Sequence, residues 1–379
     1  MAIHYKLTTT IIEDLTKELR PNRLAGPEQN EIRSTYLPAE WARQSGVQLT
    51  WPHEGTDWRP ILLEVTECYI RMALEIAQRE QLIIVTPSPD AVNQLLRERL
   101  PSRVLPNITL VQAPTNDTWA RDHGFITLQT SMGHLLLDFQ FNGWGQKFPA
   151  ELDNQICRRM MEQGVLNGQY EDHLDFVLEG GSIESDGKGT LLTTSQCLLA
   201  PNRNQPLSQA EIEERLKRHL FAERILWLDY GYLAGDDTDS HIDTLARFCP
   251  NDTIAYVQCQ DPNDEHYEQL RLMEEQLRTF RTLDGRPYRL LPLPMCSPQY
   301  DADGQRLPAT YANFLIINGA VLLPTYRDPA LDEKARRQLQ EAFPKHEIIG
   351  IDCRPLIEQH GSLHCCTMQF PAGTLKVES

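Results

Sequence analysis

The sequence predicts an α/β fold in which about five strand-strand-helix-strand units follow one another in a cyclic arrangement. Three observations carry that expectation. Short strand-like runs alternate with amphipathic helical runs along the whole 379-residue chain. The unit recurs as a repeat of structure rather than of sequence. No Pro/Gly/Ser-rich linker splits the chain, so residues 1–379 are expected to form one closed domain.

Val47–Trp51 reads as a strand, Ile61–Arg79 has helical apolar spacing, and Leu82–Val85 returns to strand. Pro89–Arg99 is expected to be helical and Ile108–Gln112 extended, followed by paired strands at Phe125–Gln129 and His134–Phe139 with Gly133 in their turn. Helix Glu151–Gln163 precedes strands near Phe176 and at Thr190–Thr194. Helix Ser208–His219, with Ser208 as N-cap and Glu211 completing a capping box, leads into strand Arg224–Leu228. Helix Asn263–Arg281 precedes Tyr288–Leu293, and the loop Cys296–Pro308 has the composition of a flap. Strands Phe314–Asn318 and Ala320–Pro324, helix Pro329–Phe343, and strands Glu347–Ile351 and Ser362–Met368 complete the series.

Composition narrows the function. A net charge of −17 repels a phosphate backbone, and no dense basic run appears, so nucleic acid is not an expected partner. An acidic field draws in cationic ligands, although surface acidity also serves solubility. No apolar run approaches the roughly 18 residues that span a membrane, and Met1–Lys6 opens no hydrophobic leader. Nine cysteines without a CxxC pair argue against a disulfide framework or structural zinc and fit a reducing cytoplasm.

Candidate chemistry sits in four places: Trp119-Ala120-Arg121-Asp122, Leu178-Glu179-Gly180-Gly181, the acidic run Asp236–Asp243 around His241, and Gly361–Thr367 around Cys365. A thiol with a pKa near about 8.5 is a modest nucleophile until a positive neighbour favours the thiolate. His364, if extended, points away from Cys365, so the proton partner comes from elsewhere. Cys365 and Cys366 also read as buried apolar fillers. In an extended His241-Ile242-Asp243, alternation puts His241 and Asp243 on one face, where imidazole and carboxylate can shuttle a proton. The alternatives there are a solvated turn or a metal site of Asp237, Asp239, His241 and Asp243, whose spacing does not match a calcium loop. Asp122 and Arg121 also read as a surface pair, and Trp119 as core. Glu179 precedes two glycines that permit a tight bend. Several acids beside apolar strands imply a cation supplied by a ligand or an arginine. A sulfur nucleophile, a histidine and several carboxylates suit a planar, electrophilic guanidinium.

With these segments in order, the chain resembles the agmatine deiminase and bacterial-type peptidyl-arginine deiminase family of guanidine-modifying enzymes. The resemblance rests on Leu37-Pro38-Ala39-Glu40-Trp41 with Trp51-Pro52, Asn116–Asp122, Phe141–Gly145, Glu179–Ile183, Thr190–Thr194, Asp237–Asp243, Tyr311–Phe314 and Gly361–Cys365. It implies a five-bladed α/β propeller of the pentein type. It also implies Cys365 as nucleophile, His241 as general acid–base, Asp122 and Asp243 as guanidinium ligands, and Glu179 as the group that orients His241. Trp119 and Asn313 are implied substrate contacts. No metal or organic cofactor is implied, and a homodimer is. The chain departs from the family at His360-Gly361-Ser362, where Gly-Gly-Asn is usual, and at Asp239-Ser240-His241, where Asp-Gly-His is usual. It also lacks the glutamine run after the cysteine. These departures leave the head-group chemistry intact and open the question of what holds the substrate's far end. The expected reaction converts agmatine to N-carbamoylputrescine and ammonia; arginine or peptidyl-arginine is the alternative substrate. A metal-dependent hydrolase and a non-catalytic binding propeller are the remaining readings.

Overall fold

A computed structural model of the chain describes residues 35–376. The Met1–Lys6 opening, and the outermost parts of the expected 1–379 domain, lie outside them. Among the described residues five sheets share one plan, in which an antiparallel strand pair is followed by a helix and then by a parallel strand.

The sheet joining both ends of the described chain contains β2 (Gln44–Thr50), β3 (Gln81–Thr86) and β4 (Ile108–Gln112), all parallel, linked by helices Leu62–Ala77 and Pro89–Arg99. A two-residue strand, β1 (Thr35–Tyr36), lines the edge of the next sheet, formed by β5 (Ile126–Thr130), β6 (Gly133–Gln140), helix Ile156–Glu162 and β7 (Gln169–Val177). The third comprises β8 (Ile183–Ser185), β9 (Thr190–Thr194), helix Gln209–Leu220 and β10 (Arg224–Leu228). The fourth comprises β11 (Ala246–Cys249), β12 (Thr253–Gln258), helix Tyr267–Thr279 and β13 (Arg289–Pro294). A small hairpin of β14 (Gln299–Tyr300) and β15 (Arg306–Leu307) follows. The fifth comprises β16 (Leu315–Ile317), β17 (Ala320–Thr325), helix Pro329–Ala342 and β18 (Glu347–Asp352). Finally β19 (Thr367–Pro371) runs antiparallel to β2 and completes the first sheet.

The elements follow from their residues. β3 is a continuous apolar run, Leu82-Ile83-Ile84-Val85, because a parallel strand between two neighbours is covered on both faces. Helix Leu62–Ala77 buries Val65, Tyr69, Met72, Ala73 and Ile76 at helical spacing. The expected capping box at Ser208 is present, and Phe221 ends that helix in the left-handed region at φ 54°.

Some expectations fail for local reasons. Helix Asn263–Arg281 starts only at Tyr267, because the Asp264 carboxylate accepts from the His266 N–H at 2.9 Å and closes a turn instead. Glu151–Gln163 shortens to Ile156–Glu162, since Asp153 turns its carboxylate to the backbone N–H groups of Asn116 and Asp117. The loop Cys296–Pro308 contains the β14–β15 hairpin, with Arg306 paired to Asp264 at 2.7 Å. The strand expected over Ser362–Met368 begins only at Thr367; residues 363–366 form turns. β8, β11 and β12 escape sequence reading, the first because three residues carry no period.

Candidate active site

The loops following β4, β7, β10, β13 and β18 carry the candidate side chains. Asp122 lies on the short helix Ala120–His123 after β4. Glu179 follows β7, immediately before the tight turn Gly180–Ser182. His241 and Asp243 follow β10, Asn313 precedes β16, and Cys365 lies in the turns before β19. Sharp turns at strand ends thus bring residues far apart in sequence to one point.

That point is compact. The Cys365 sulfur lies 3.6 Å from Asp243 Oδ2, and the Asn313 amide donates to it at 3.3 Å. Asp122 Oδ1 accepts from the Gly181 N–H at 3.0 Å and lies 3.7 Å from His241 Nδ1. Asp122 Oδ2 accepts from the Trp144 indole at 3.0 Å. Gly181 shows how closely these groups meet. A Cβ there would fall 2.7 Å from His241 Nδ1, 2.8 Å from Asp122 Oδ1 and 3.2 Å from Asp243 Oδ2, so glycine is required. His241 and Asp243 face the same site, but not through strand alternation: Ile242–Thr244 is a 3₁₀ turn.

Burial and like charge dictate the protonation states. Burial lifts Asp122 to about 6, with Asp243 and Glu179 adding to the rise and His241 opposing it. Burial depresses His241, but Asp122, Cys197 and Glu179 outweigh it and hold the imidazole well above its ordinary value. Burial, then the Asp243 and Asp122 carboxylates, push the Cys365 thiol well above its ordinary value. Asp243 is lowered despite burial, by the hydrogen bond and charge of His364. The substrate-free site therefore holds a neutral thiol beside a cationic imidazole in a strongly acidic setting.

A buried network holds the floor. Arg247, on β11, pairs with Glu184 and Glu40, donates to the Ala312 and Phe314 carbonyls, and contacts His364 Nε2 at 2.9 Å. His364 joins this hub to the site, with Nδ1 2.8 Å from Asp243 Oδ2 and Nε2 2.8 Å from Glu40 Oε1. Arg121 does not form the expected surface pair with Asp122. It is buried, pairs with Glu40 and Gln369, and its backbone N–H donates to the Cys365 carbonyl at 3.1 Å. Arg203 holds Glu179 Oε1 at 2.7 Å and Asp239 Oδ2 at 2.7 Å. Asp239 also pairs with Lys147, so Asp237, Asp239, His241 and Asp243 do not converge as one ligand set.

The pocket reaching Cys365 and Asp122 is walled by Trp119, Trp144 and Phe148, by Asp57, Asp117 and Asp237, and by His360 and Gly361. Burial raises Asp117 to about 7 and Asp237 to about 6. Trp119 is a wall residue, and its indole donates to Asp117 Oδ2 at 3.0 Å. A Cβ on Gly361 would stand 2.2 Å from the Trp119 ring, so this residue fits only as glycine. Asn313 is not among the wall residues; it accepts from the His364 N–H at 2.8 Å and shapes the turn that carries Cys365. Ser362, one of the departures, contacts the Tyr326 hydroxyl at 2.7 Å.

Sequence reading missed Cys197. Thr194 accepts from the Cys197 N–H at 3.3 Å and donates to the Ser240 carbonyl at 2.8 Å, tying this thiol to the His241 loop. A donor atom from each of Glu179, Cys197 and His241 lies within 4.8 Å of the other two. The only signal was its place shortly after Thr190–Thr194. Arg203 and Arg247 were missed too, since single arginines in strands and loops look like surface charge.

Comparison with known proteins follows the same line. An agmatine deiminase of Pseudomonas fluorescens is 33% identical over 360 residues, covering 89% of this chain and 95% of that one. A C. jejuni agmatine deiminase, solved as a cysteine-to-serine variant with substrate bound, is 36% identical with a TM-score of 0.83 over 93% of this chain and all of its own. A Porphyromonas gingivalis structure, provisionally named an arginine deiminase, is 52% identical with a TM-score of 0.85, covering 90% of this chain and all of its own. The family model for Porphyromonas-type peptidyl-arginine deiminases matches residues 36–371. The chain belongs to the Porphyromonas-type peptidyl-arginine deiminase family.

Proposed function

We propose that this chain hydrolyses the guanidinium of agmatine to N-carbamoylputrescine and ammonia. One observation carries the choice of substrate. Four carboxylates, Asp57, Asp117, Asp122 and Asp237, line the pocket and neither lysine nor arginine does. Agmatine is cationic at both ends and matches such walls, whereas free arginine brings a carboxylate against them. Peptidyl-arginine, which lacks that free carboxylate at internal positions, is the second reading, favoured by the family description.

In this reading Asp122 and Asp243 grip the guanidinium N–H groups in charge-assisted hydrogen bonds and align its carbon with Cys365. The arriving cation offsets the two carboxylates that hold the thiol neutral, so with substrate present the thiol releases its proton to solvent and the thiolate forms. The Cys365 sulfur bonds to the guanidinium carbon, a C–N bond breaks, and His241 protonates the departing ammonia. Deprotonated His241 then takes a proton from water. The new C–O bond forms, the C–S bond breaks, and the ureido product leaves with the thiol restored. Glu179, held by Arg203, supports the imidazolium. The reaction requires no metal or organic cofactor.

The same reading includes a ring of five blades around the buried hub, a homodimer and a cytoplasmic location. Arg247 supports the ring, because it joins residues on or beside three other sheets. The nine cysteines, free and buried, suit a reducing compartment. No helix among the described residues is long and apolar enough to cross a membrane. Turnover of agmatine, arginine and an arginyl peptide, measured side by side, tests the substrate. Agmatine is expected to dominate in kcat/KM; ammonia release only from the peptide or arginine overturns the assignment.

A further inference from the structure

We propose that Glu179, Cys197 and His241 form a reversible binding site for a zinc-like divalent cation, which competes with substrate by occupying the histidine. The three donor atoms lie within 4.8 Å of one another and all three residues are buried. Neither ring nitrogen of His241 has a nitrogen or oxygen hydrogen-bond partner among the described residues, the Cys197 thiol being the group the imidazole meets, and Glu179 Oε2 has no partner either. Arg203 occupies only Oε1, leaving the second carboxylate oxygen available. Unpaired buried polar atoms are costly and rare. Here several are gathered beside a thiol.

Thiolate, imidazole and carboxylate form a donor set suited to zinc, whereas calcium and magnesium demand six or more oxygens. Zinc bonds of about 2.0–2.3 Å place tetrahedral donors roughly 3.3–3.8 Å apart, so closure by about 1.5 Å is needed at most. Binding releases the Cys197 thiol proton and the His241 imidazolium proton to solvent, and water fills the fourth position. Asp122 and Asp243 add negative potential that favours a dication. An ion reaches the site by the substrate's route, since Asp122 lines the pocket and lies 3.7 Å from His241. The other trio of this kind among the described residues, Glu40, Glu184 and His364, is already satisfied by Arg247 and carries no such proposal. The inhibitory consequence rests on the deiminase reading; the binding does not.

The experiment uses the full chain with Cys365→Ser, so that the signal excludes the nucleophile. Titration with Co²⁺ is expected to give a thiolate-to-cobalt charge-transfer band, saturating at one equivalent and displaced by Zn²⁺. Adding Cys197→Ser abolishes the band; adding Cys366→Ser leaves it. His241→Ala, in the same background, provides an independent loss if Cys197→Ser does not fold. Absence of the band, or its survival in both the Cys197 and His241 variants, overturns the site. With the unmodified enzyme, zinc is expected to raise the KM for agmatine reversibly; zinc binding that leaves turnover unchanged refutes the competitive role. A protein that binds cobalt through Cys197 yet turns over no guanidinium leaves the site standing and sinks the deiminase assignment instead.

Discussion

His364 Nδ1 lies 2.8 Å from Asp243 Oδ2, the oxygen that also stands 3.6 Å from the Cys365 sulfur. The imidazole next to Cys365 in sequence thus positions a carboxylate rather than the thiol. His364→Ala removes a hydrogen bond to a charged group, worth about 1.5–3 kcal/mol. The expected outcome is a roughly 10- to 100-fold fall in kcat/KM with Cys365 alkylation retained, and an unchanged kcat/KM contradicts it.

Cys365 and Cys366 can be separated by serine. Cys366 is fully buried, and Tyr69 and Cys68 are its neighbours, away from the pocket walls. Cys365→Ser is expected to abolish turnover and Cys366→Ser to retain most of it. The reverse pattern places the nucleophile on the wrong residue.

Gly181→Ala puts a methyl against His241, Asp122 and Asp243 at once. Activity should fall below about one-hundredth, because a roughly 1 Å misplacement of catalytic groups already costs about that much. Circular dichroism is expected to show an intact fold. Normal kinetics in this variant would disprove the packing around His241.

The acids of the pocket make binding depend on pH. Asp122 and Asp237 are raised to about 6 and Asp117 to about 7, each with burial as the largest cause. Folded values above unfolded ones mean that ionisation, between about pH 4 and 7, costs the substrate-free fold stability. A bound dication favours the ionised forms, so the KM for agmatine should fall as pH climbs through 6–7. Correspondingly, Asp117→Asn should raise Tm near about pH 8 and not near about pH 4. A KM that is flat or rises across this window contradicts the charge assignment.

Ser240 adopts φ 63° and Asp239 φ 66°, in the left-handed region that favours glycine. Ser240 is held there by its N–H donating to Asp236 Oδ2 at 2.6 Å. Ser240→Gly relieves a strain of about 1–2 kcal/mol, less the glycine's own entropy of about 0.4–1 kcal/mol. Denaturant unfolding should show a gain of up to about 1 kcal/mol with kcat preserved.

What was legible in sequence, and what was not, divides along physical lines. Helices with a long apolar stripe, such as Leu62–Ala77 and Pro329–Ala342, declare themselves, because their burial is periodic. Residues whose chemistry is rare stand out as well: the fold gathers Cys365, His241, Glu179, Asp122 and Asp243 around one point. Asn313 has no such mark, and its work on the Cys365 turn depends on an approach between loops 52 residues apart. Cys197 reads as core filler until the fold sets it beside His241. The turns at residues 363–366 and 242–244 defeat strand alternation, since the period-2 rule holds only for extended backbone. Loop geometry, unlike helix burial, leaves no periodic trace.

β19 pairs with β2 across more than 300 residues of chain, and Cys365 stands just before it. During synthesis, every acid of the pocket emerges from the ribosome before the sulfur it surrounds. The first sheet cannot finish until that closing strand arrives, so a polypeptide that stops before Cys365 lacks both the sulfur and the strand that seals β2.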